Sequence, residues 1–75
     1  MLDKILKILN EIFDESDREP IEALSEGMSL REDLGLDSLL LAELTVRIEA
    51  EFGIDIFEDG LVNTISEILS KLEKS

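Results

Sequence analysis

Apolar residues spaced by three and four positions predict three helices in this chain. The first follows such a spacing over residues 2–13, and the second runs over residues 38–52. The last begins near residue 63 and has a shorter apolar stripe, formed by Ile65, Ile68, Leu69 and Leu72. The pattern predicts an all-α fold in a single domain over residues 1–75: a small antiparallel four-helix bundle with three main helices, one short helix and a long first loop.

The long first loop joins the first two predicted helices. Residues 14–29 lose the helical spacing, and Pro20 and Gly27 interrupt any helix there. Ser29 and Glu32 have the spacing of a capping box, which predicts the short fourth helix. The apolar residues of this region are expected to pin the loop to the core: Ile21, Leu24, Met28, Leu30, Leu34 and Leu36. So long a loop in so small a domain is usually functional.

Local signals mark where the second and third helices begin and end. Asp37 is a suitable N-cap, and its charge favours the positive end of the helix dipole. Gly53 suits the position just after a helix. Thr64 and Glu67 form a capping box that predicts the start of the last helix.

The second helix has apolar side chains on two nearly opposite faces. At about 100° per residue, one face carries Leu41, Leu44, Ile48 and Phe52, and the other carries Leu39, Ala42, Val46 and Ala50. A bundle of this size has one core, so only one face can pack into it. The second face is either covered by the long loop or exposed as a partner-binding surface, and the pattern leaves both possibilities open.

Charge and composition narrow the possible functions. Seven Lys and Arg against 19 Asp and Glu give a formal net charge of −12. This excess disfavours binding to nucleic acid or to an anionic membrane, and it favours a partner with a basic surface. The chain contains no Cys and no His, so an enzyme is not expected. The absence of a signal peptide and of a long apolar run predicts a cytoplasmic protein without membrane insertion, expected to be a monomer.

A calcium site is tested because the chain is so acidic. A loop beginning at Asp55 places Asp59 and Gly60, which also predict a turn, at the fifth and sixth positions of an EF-hand. Its third and twelfth positions are Phe57 and Ser66, where an oxygen ligand and a bidentate Glu are required. The spacing therefore predicts no metal site.

Ser38, at the start of the second helix, is the candidate for modification. A phosphate on its hydroxyl would lie near unpaired backbone N–H groups and the positive end of the helix dipole. The alternative is that Ser38 merely helps to cap the helix. A nucleophilic serine is not expected, because no His is present to activate it and the G-x-S-x-G pattern is absent.

Three segments of the chain resemble the acyl carrier protein family: LREDLGLDSL at residues 30–39, EFGIDI at 51–56 and VNTISEI at 62–68. The resemblance extends over the whole chain. It implies that Ser38 carries 4′-phosphopantetheine, transferred from coenzyme A by a magnesium-dependent phosphopantetheinyl transferase. The thiol of that group would hold acyl intermediates as thioesters, so the reactive sulfur would belong to the cofactor. The bundle interior could then shelter an acyl chain.

The resemblance also implies residues for partner recognition. Asp37 and Leu39 match positions that the transferase and other partners read. Val46 matches an apolar contact at the middle of the partner surface. Three acidic positions match those that meet basic patches on acyl-transferring or acyl-activating enzymes: Glu43, Glu49 and Glu51.

Departures from the family pattern bear on the pathway. Leu40 stands where carriers of fatty-acid synthesis usually have an acidic residue, and Ala50 interrupts an acidic run. Phe57 replaces a common proline in a shortened segment, residues 57–62. Leu40 is expected to lie outward beside Glu43 and to meet an apolar pocket on the cognate partner.

The pathway therefore stays open between fatty-acid and specialised biosynthesis, the latter including polyketides, nonribosomal peptides and acylated lipids or saccharides. The alternatives are an aminoacyl or peptidyl carrier and an acidic helical interaction module without a prosthetic group.

Overall fold

The chain forms three helices in a computed structural model, which describes residues 1–58, 60 and 62–73. These are α1 (Leu2–Glu15), α2 (Ser38–Phe52) and α3 (Ile65–Glu73). Within those residues no strand is present, and the one isolated β-bridge joins Ser29 to Thr64. The predicted all-α class is confirmed, and α2 begins and ends at the predicted residues.

The three helices and the loops share one apolar core. Its buried side chains come from α1 (Ile5, Ile8, Leu9, Ile12, Phe13), the first loop (Leu30, Leu34, Leu36), α2 (Leu40, Leu41, Leu44, Ile48), the second loop (Ile56, Val62) and α3 (Ile65, Ile68, Leu69, Leu72). No polar or charged side chain is buried in the described part of the chain. Removal of apolar surface from water is therefore the main force that holds the helices together.

The short fourth helix of the predicted bundle is not confirmed. Residues 29–34 form hydrogen-bonded turns instead. Half of the expected capping box is present, because Ser29 Oγ accepts a hydrogen bond from Glu32 N at 3.1 Å. The return bond comes from Asp33, whose carboxylate accepts from Ser29 N at 2.6 Å. Gly35 has a φ of +68°, a left-handed conformation that prevents these turns from continuing as a helix.

The first loop is fixed to α1 by a two-way hydrogen bond. Asn10 Nδ2 donates to the carbonyl of Ile21 at 3.0 Å, and Ile21 N donates to Asn10 Oδ1 at 2.7 Å. Ile21, Leu24 and Met28 are half-buried against the core. The prediction that apolar residues pin this loop to the core is therefore confirmed.

The same loop is also joined to the start of α3 through the backbone. Three hydrogen bonds make this connection: Leu30 N to Asn63 O at 2.8 Å, Ile65 N to Met28 O at 3.1 Å, and Ser66 N to Glu26 O at 2.8 Å. At the same place, Thr64 Oγ1 caps α3 by accepting from Glu67 N at 3.2 Å, as the capping box predicts. The loop and the first turn of α3 thus form one hydrogen-bonded unit.

The connection between α2 and α3 begins with a left-handed glycine. Gly53 has a φ of +74°, and its N–H donates to Glu49 O at 2.7 Å, so it ends α2 as predicted. Asp55 then forms a turn in which its Oδ1 accepts from Phe57 N at 2.9 Å. Asp59, part of the predicted turn with Gly60, lies outside the described residues.

Candidate functional site

The start of α2 presents Ser38 to solvent. Asp37 is the N-cap: its Oδ1 accepts from Leu40 N at 2.9 Å, and its backbone carbonyl accepts from Leu41 N at 2.9 Å. Ser38 is the first residue of α2 and is exposed. Within the described part of the chain, no group forms a hydrogen bond with its Oγ. Asp37 therefore caps α2, and the hydroxyl of Ser38 is exposed and takes no part in the cap.

The surroundings of Ser38 fit a phosphorylated group. The first N–H groups of a helix lack partners within the helix, and the helix dipole favours negative charge there. The exposed hydroxyl gives an attached group direct access to solvent. Asp37 already binds the N–H of Leu40, so the N–H groups before Leu40 and the helix dipole are what this turn offers to a phosphodiester on Ser38.

One face of α2 remains uncovered. Leu39 is 77% exposed and Val46 is 63% exposed. Ala42 and Ala50 on the same face are also exposed. We call these four residues the outward stripe. The long loop therefore does not cover the outward stripe, which faces solvent, and the role of this stripe in binding a partner stays a prediction.

Leu40 does not belong to this exposed surface. Its side chain is only 8% exposed and is part of the apolar core. The reason is its position one helical turn before Leu44 and two before Ile48, which places all three on the same face. The expectation that Leu40 lies outward beside Glu43 and enters a partner pocket is therefore wrong.

The three predicted acidic residues differ in their surroundings, although all are exposed. Glu43 pairs with Arg47, at 3.2 Å from Oε2 to Nε. Glu51 lies 3.9 Å from Lys4 Nζ. Glu49 forms no ion pair with any residue that the structure describes. Glu49 is therefore the acidic position with the least neutralised charge.

Arg47 joins α2 to the end of α1. Its Nη2 lies 2.6 Å from an oxygen of Glu15, the last residue of α1, in addition to the contact with Glu43. These hydrogen bonds, first with Glu15 and then with Glu43, raise the pKa of Arg47. The raised pKa reflects stabilisation of the charged guanidinium by the two carboxylates, and this charge partly neutralises the edge of the outward stripe near Glu43.

The groove between α1 and α2 has a mixed lining. Ile8 and Ala50 lie there beside the stems and charged ends of Lys4, Lys7, Glu11, Arg47 and Glu51. It is not the closed apolar cavity that would remove a whole acyl chain from water. Sheltering of an acyl chain among the core side chains stays a prediction.

Arg18 is a residue near the site that sequence reasoning missed. Its Nη1 donates to the carbonyl of Gly35 at 2.7 Å, three residues before Ser38. Its guanidinium also lies 5.6 Å from the centre of the Phe13 ring. Arg18 and Gly35 are 17 residues apart, and no local spacing rule connects residues at that distance.

The described residues contain no group of three or more Asp or Glu side chains placed to hold a metal ion. None of the three helices combines the length and apolar character needed to cross a bilayer, again within the residues described.

Comparison with known proteins gives consistent matches. The family model described as "Phosphopantetheine attachment site" matches residues 3–72. The chain is 32% identical over 75 residues to "Acyl carrier protein 3" of Ralstonia nicotianae, covering 97% of this chain and 82% of the relative. It is 39% identical over 56 residues to "Acyl carrier protein" of Sinorhizobium fredii, covering 72% of each. It is also 32% identical over 73 residues to "Acyl carrier protein" of Thermobifida fusca, covering 95% of this chain and 92% of the relative.

Proposed function

Because the chain belongs to the acyl carrier protein family, we propose that Ser38 is its attachment residue and that it carries acyl groups for biosynthesis. Proteins of this family are carriers rather than enzymes, and their domain bears covalently bound 4′-phosphopantetheine. They interact with a phosphopantetheinyl transferase and with acyl-handling enzymes. The observation that carries the assignment of Ser38 is its exposed hydroxyl beside the cap that Asp37 provides.

For the attachment reaction, this chain supplies the hydroxyl of Ser38 and the N-terminal turn of α2. Ser38 Oγ forms a bond to the phosphorus of the phosphopantetheine moiety of coenzyme A, while the pyrophosphate bond breaks. Adenosine 3′,5′-bisphosphate leaves, and the hydroxyl proton passes to a base of the transferase. The N-terminal turn of α2 supports the negative charge of the resulting diester. When bound, the group supplies a thiol that holds an acyl chain as a thioester.

The outward stripe and its acidic edge are proposed to bind the partner enzymes. Leu39 lies next to Ser38, so a transferase acting on the hydroxyl must approach this exposed leucine. Val46 lies two turns further along the same face. Glu49 adds negative charge beside the stripe without a neutralising partner in the described structure, which supports docking on a basic surface.

The biosynthetic pathway is proposed from the exposed residues of α2 that depart from the family pattern. With Leu40 in the core, the departure that still affects the surface of α2 is Ala50, which is exposed on the outward stripe. Its lack of charge favours a specialised acyl pathway over housekeeping fatty-acid synthesis as the proposed role. A single domain over residues 1–75, a monomeric state and a cytoplasmic location stay predictions.

Mass spectrometry of the protein after incubation with coenzyme A and a promiscuous phosphopantetheinyl transferase tests the proposal. We expect the wild-type mass to increase by one phosphopantetheine, and Ser38→Ala to abolish the increase while the helical circular dichroism spectrum is retained. Ser66→Ala is the matched control, because Ser66 is also exposed in the first turn of a helix. Wild-type protein that stays unmodified with several such transferases would instead support the interaction module without a prosthetic group.

A further inference from the structure

The chain reversal at the end of α1 fixes the position of Arg18. Asp17 N donates to Asp14 O at 3.3 Å, and Arg18 N donates to Phe13 O at 2.8 Å. This is the hydrogen-bond pattern of a Schellman ending, with Asp17 at the left-handed position. Asp17 has a φ of +58°, which is unfavourable for a residue other than glycine. The backbone that carries Arg18 is therefore held against the last turn of α1.

From this position the Arg18 side chain crosses to the segment that leads into α2. The guanidinium lies over the ring of Phe13, a core residue, at 5.6 Å from its centre. Its Nη1 donates to Gly35 O at 2.7 Å. The aromatic contact limits the motion of the guanidinium, so the hydrogen bond holds the Gly35 carbonyl relative to α1.

Between Gly35 and Ser38, the two intervening residues also have contacts that restrict the backbone. Leu36 is buried, and its N–H donates to Leu30 O at 3.0 Å. Asp37 follows directly and caps α2. Arg18 and Leu30 thus hold the same peptide group, the one between Gly35 and Leu36, through its carbonyl and its N–H, and Asp37 caps the helix directly after it. These contacts restrict the backbone between the core and the residue that carries the hydroxyl.

We infer that Arg18 is a positioning residue, which holds residues 35–37 so that Ser38 is presented to the transferase in one orientation. The inference rests on the proposed attachment at Ser38. Arg31 provides the contrast within the same loop: it is exposed, and its guanidinium has no hydrogen bond or ion pair with any described residue. Arg31 therefore serves as a control for the charge of Arg18 without its contacts.

Kinetics of attachment provide the first test. Arg18→Met keeps an apolar stem over Phe13 but removes the donor to Gly35. We expect kcat for phosphopantetheine transfer to fall about fivefold, the effect of one hydrogen bond. KM is expected to change less than about twofold, because the outward stripe that binds the partner is untouched. Arg18→Lys, which retains a donor, should recover most of kcat, and Arg31→Met, which removes the same charge, should match wild type.

Hydrogen exchange of the unmodified protein gives a second readout that needs no transferase. We expect Arg18→Met to speed exchange of the Leu36 amide by about fivefold and of the Leu40 amide by a smaller factor. The amide of Ile48, in the interior of α2, reports global opening and should exchange as in wild type. Gly35→Ala perturbs the same segment through its backbone, because a φ of +68° disfavours alanine, whereas the added Cβ would meet Arg18 Nη1 at an ordinary contact distance of 3.5 Å. It should therefore also speed exchange at Leu36 without affecting Ile48.

The outcomes distinguish the proposed attachment at Ser38 from the proposed positioning role of Arg18. A wild-type kcat for Arg18→Met, or an equal loss for Arg31→Met, would overturn the positioning role while Ser38 remains the attachment residue. Faster exchange at Ile48 to the same degree as at Leu36 would also overturn it, because the effect would then be global destabilisation. Absence of modification in the wild type overturns the proposed function and with it the presentation of Ser38, while the exchange data still decide whether Arg18 holds residues 35–37.

Discussion

Two adjacent leucines of α2 have opposite surroundings. Leu39 is 77% exposed, whereas Leu40 is 8% exposed and packs in the core. They differ by one residue and therefore by about 100° around the helix axis. The comparison teaches that the side chain alone does not decide the role of a leucine in this helix. The face decides it: one face stabilises the fold, and the opposite face is available to a partner.

The two faces also differ in charge. The buried face contains no charged residue, and its core contacts are apolar. The outward face combines exposed apolar side chains with carboxylates at its edges, among them Glu43 and Glu49. A mutation on the buried face should therefore change stability, while one on the outward face should change partner binding and its dependence on salt.

The largest effect is expected from a charge introduced on the buried face. Leu40→Asp places a carboxylate in the core and should lower the free energy of unfolding by about 3 kcal/mol or more. A chain of this size has roughly 5–10 kcal/mol in total, so much of the stability would be lost. Leu39→Asp is the matched control and should change stability by no more than about 0.5 kcal/mol. Urea denaturation followed by circular dichroism measures both, and equal losses would show that the two faces are not distinct.

A smaller effect is expected when apolar area is removed from the outward stripe. Burial of a leucine in an interface contributes about 1.5–3 kcal/mol, so Leu39→Ala should raise KM for the transferase about tenfold. The melting temperature should stay within about 2 °C of wild type, because the side chain makes little contact with the core. Leu39→Met, which keeps most of the apolar area, serves as the control. An unchanged KM for Leu39→Ala would argue that the transferase does not contact this residue.

Cations are expected to have a moderate effect, confined to the surface. With a net charge of −12 and no buried charged side chain among the described residues, repulsion acts between exposed carboxylates. Millimolar Mg²⁺ or Ca²⁺, or added monovalent salt, should raise the melting temperature by about 4 °C through screening. Saturation of the effect at micromolar Ca²⁺ would point instead to a defined calcium site.

The smallest effect distinguishes two carboxylates on the outward face. Glu49→Gln should lower the association rate with a basic partner about twofold at low salt, because this charge is not paired within the described structure. Glu43→Gln should have less effect, since Arg47 already neutralises part of that charge. Stopped-flow association at two salt concentrations measures the difference. A larger loss for Glu43→Gln would mean that Arg47 releases Glu43 when the partner binds.

Local sequence signals predicted the helix ends well. Asp37, Gly53 and Thr64 act within one turn of their own position, so their roles as caps follow from short-range chemistry. Helical spacing also predicts that Leu40 is buried, because Leu40 lies one turn before the core residue Leu44. Leu40 is buried because its helical face decides its surroundings, whatever residue the family usually has at this position.

Other features depend on contacts between distant residues and could not be predicted from local patterns. The capping box at Ser29 forms only in part, because Asp33 takes the place expected for Glu32 and Gly35 adopts a positive φ. The contact of Arg18 with Gly35 spans 17 residues, and its formation depends on where the chain reversal after α1 places the side chain. The motif predicts Ser38 as the attachment residue, whereas the freedom of its hydroxyl from capping is visible only in the structure, where Asp37 binds Leu40 N.

The backbone connection between the first loop and α3 has a consequence for the order of events during synthesis. Its hydrogen bonds join residues 33 to 40 positions apart along the chain, the widest being that of Ser66 with Glu26. A ribosome releases the N-terminal part of the chain first, so α1 and α2 emerge before their loop has its partner on α3. The loop before Ser38 therefore reaches its final path only when translation has passed the last helix. If Ser38 is the attachment residue, we expect its modification to follow the docking of α3 on this loop.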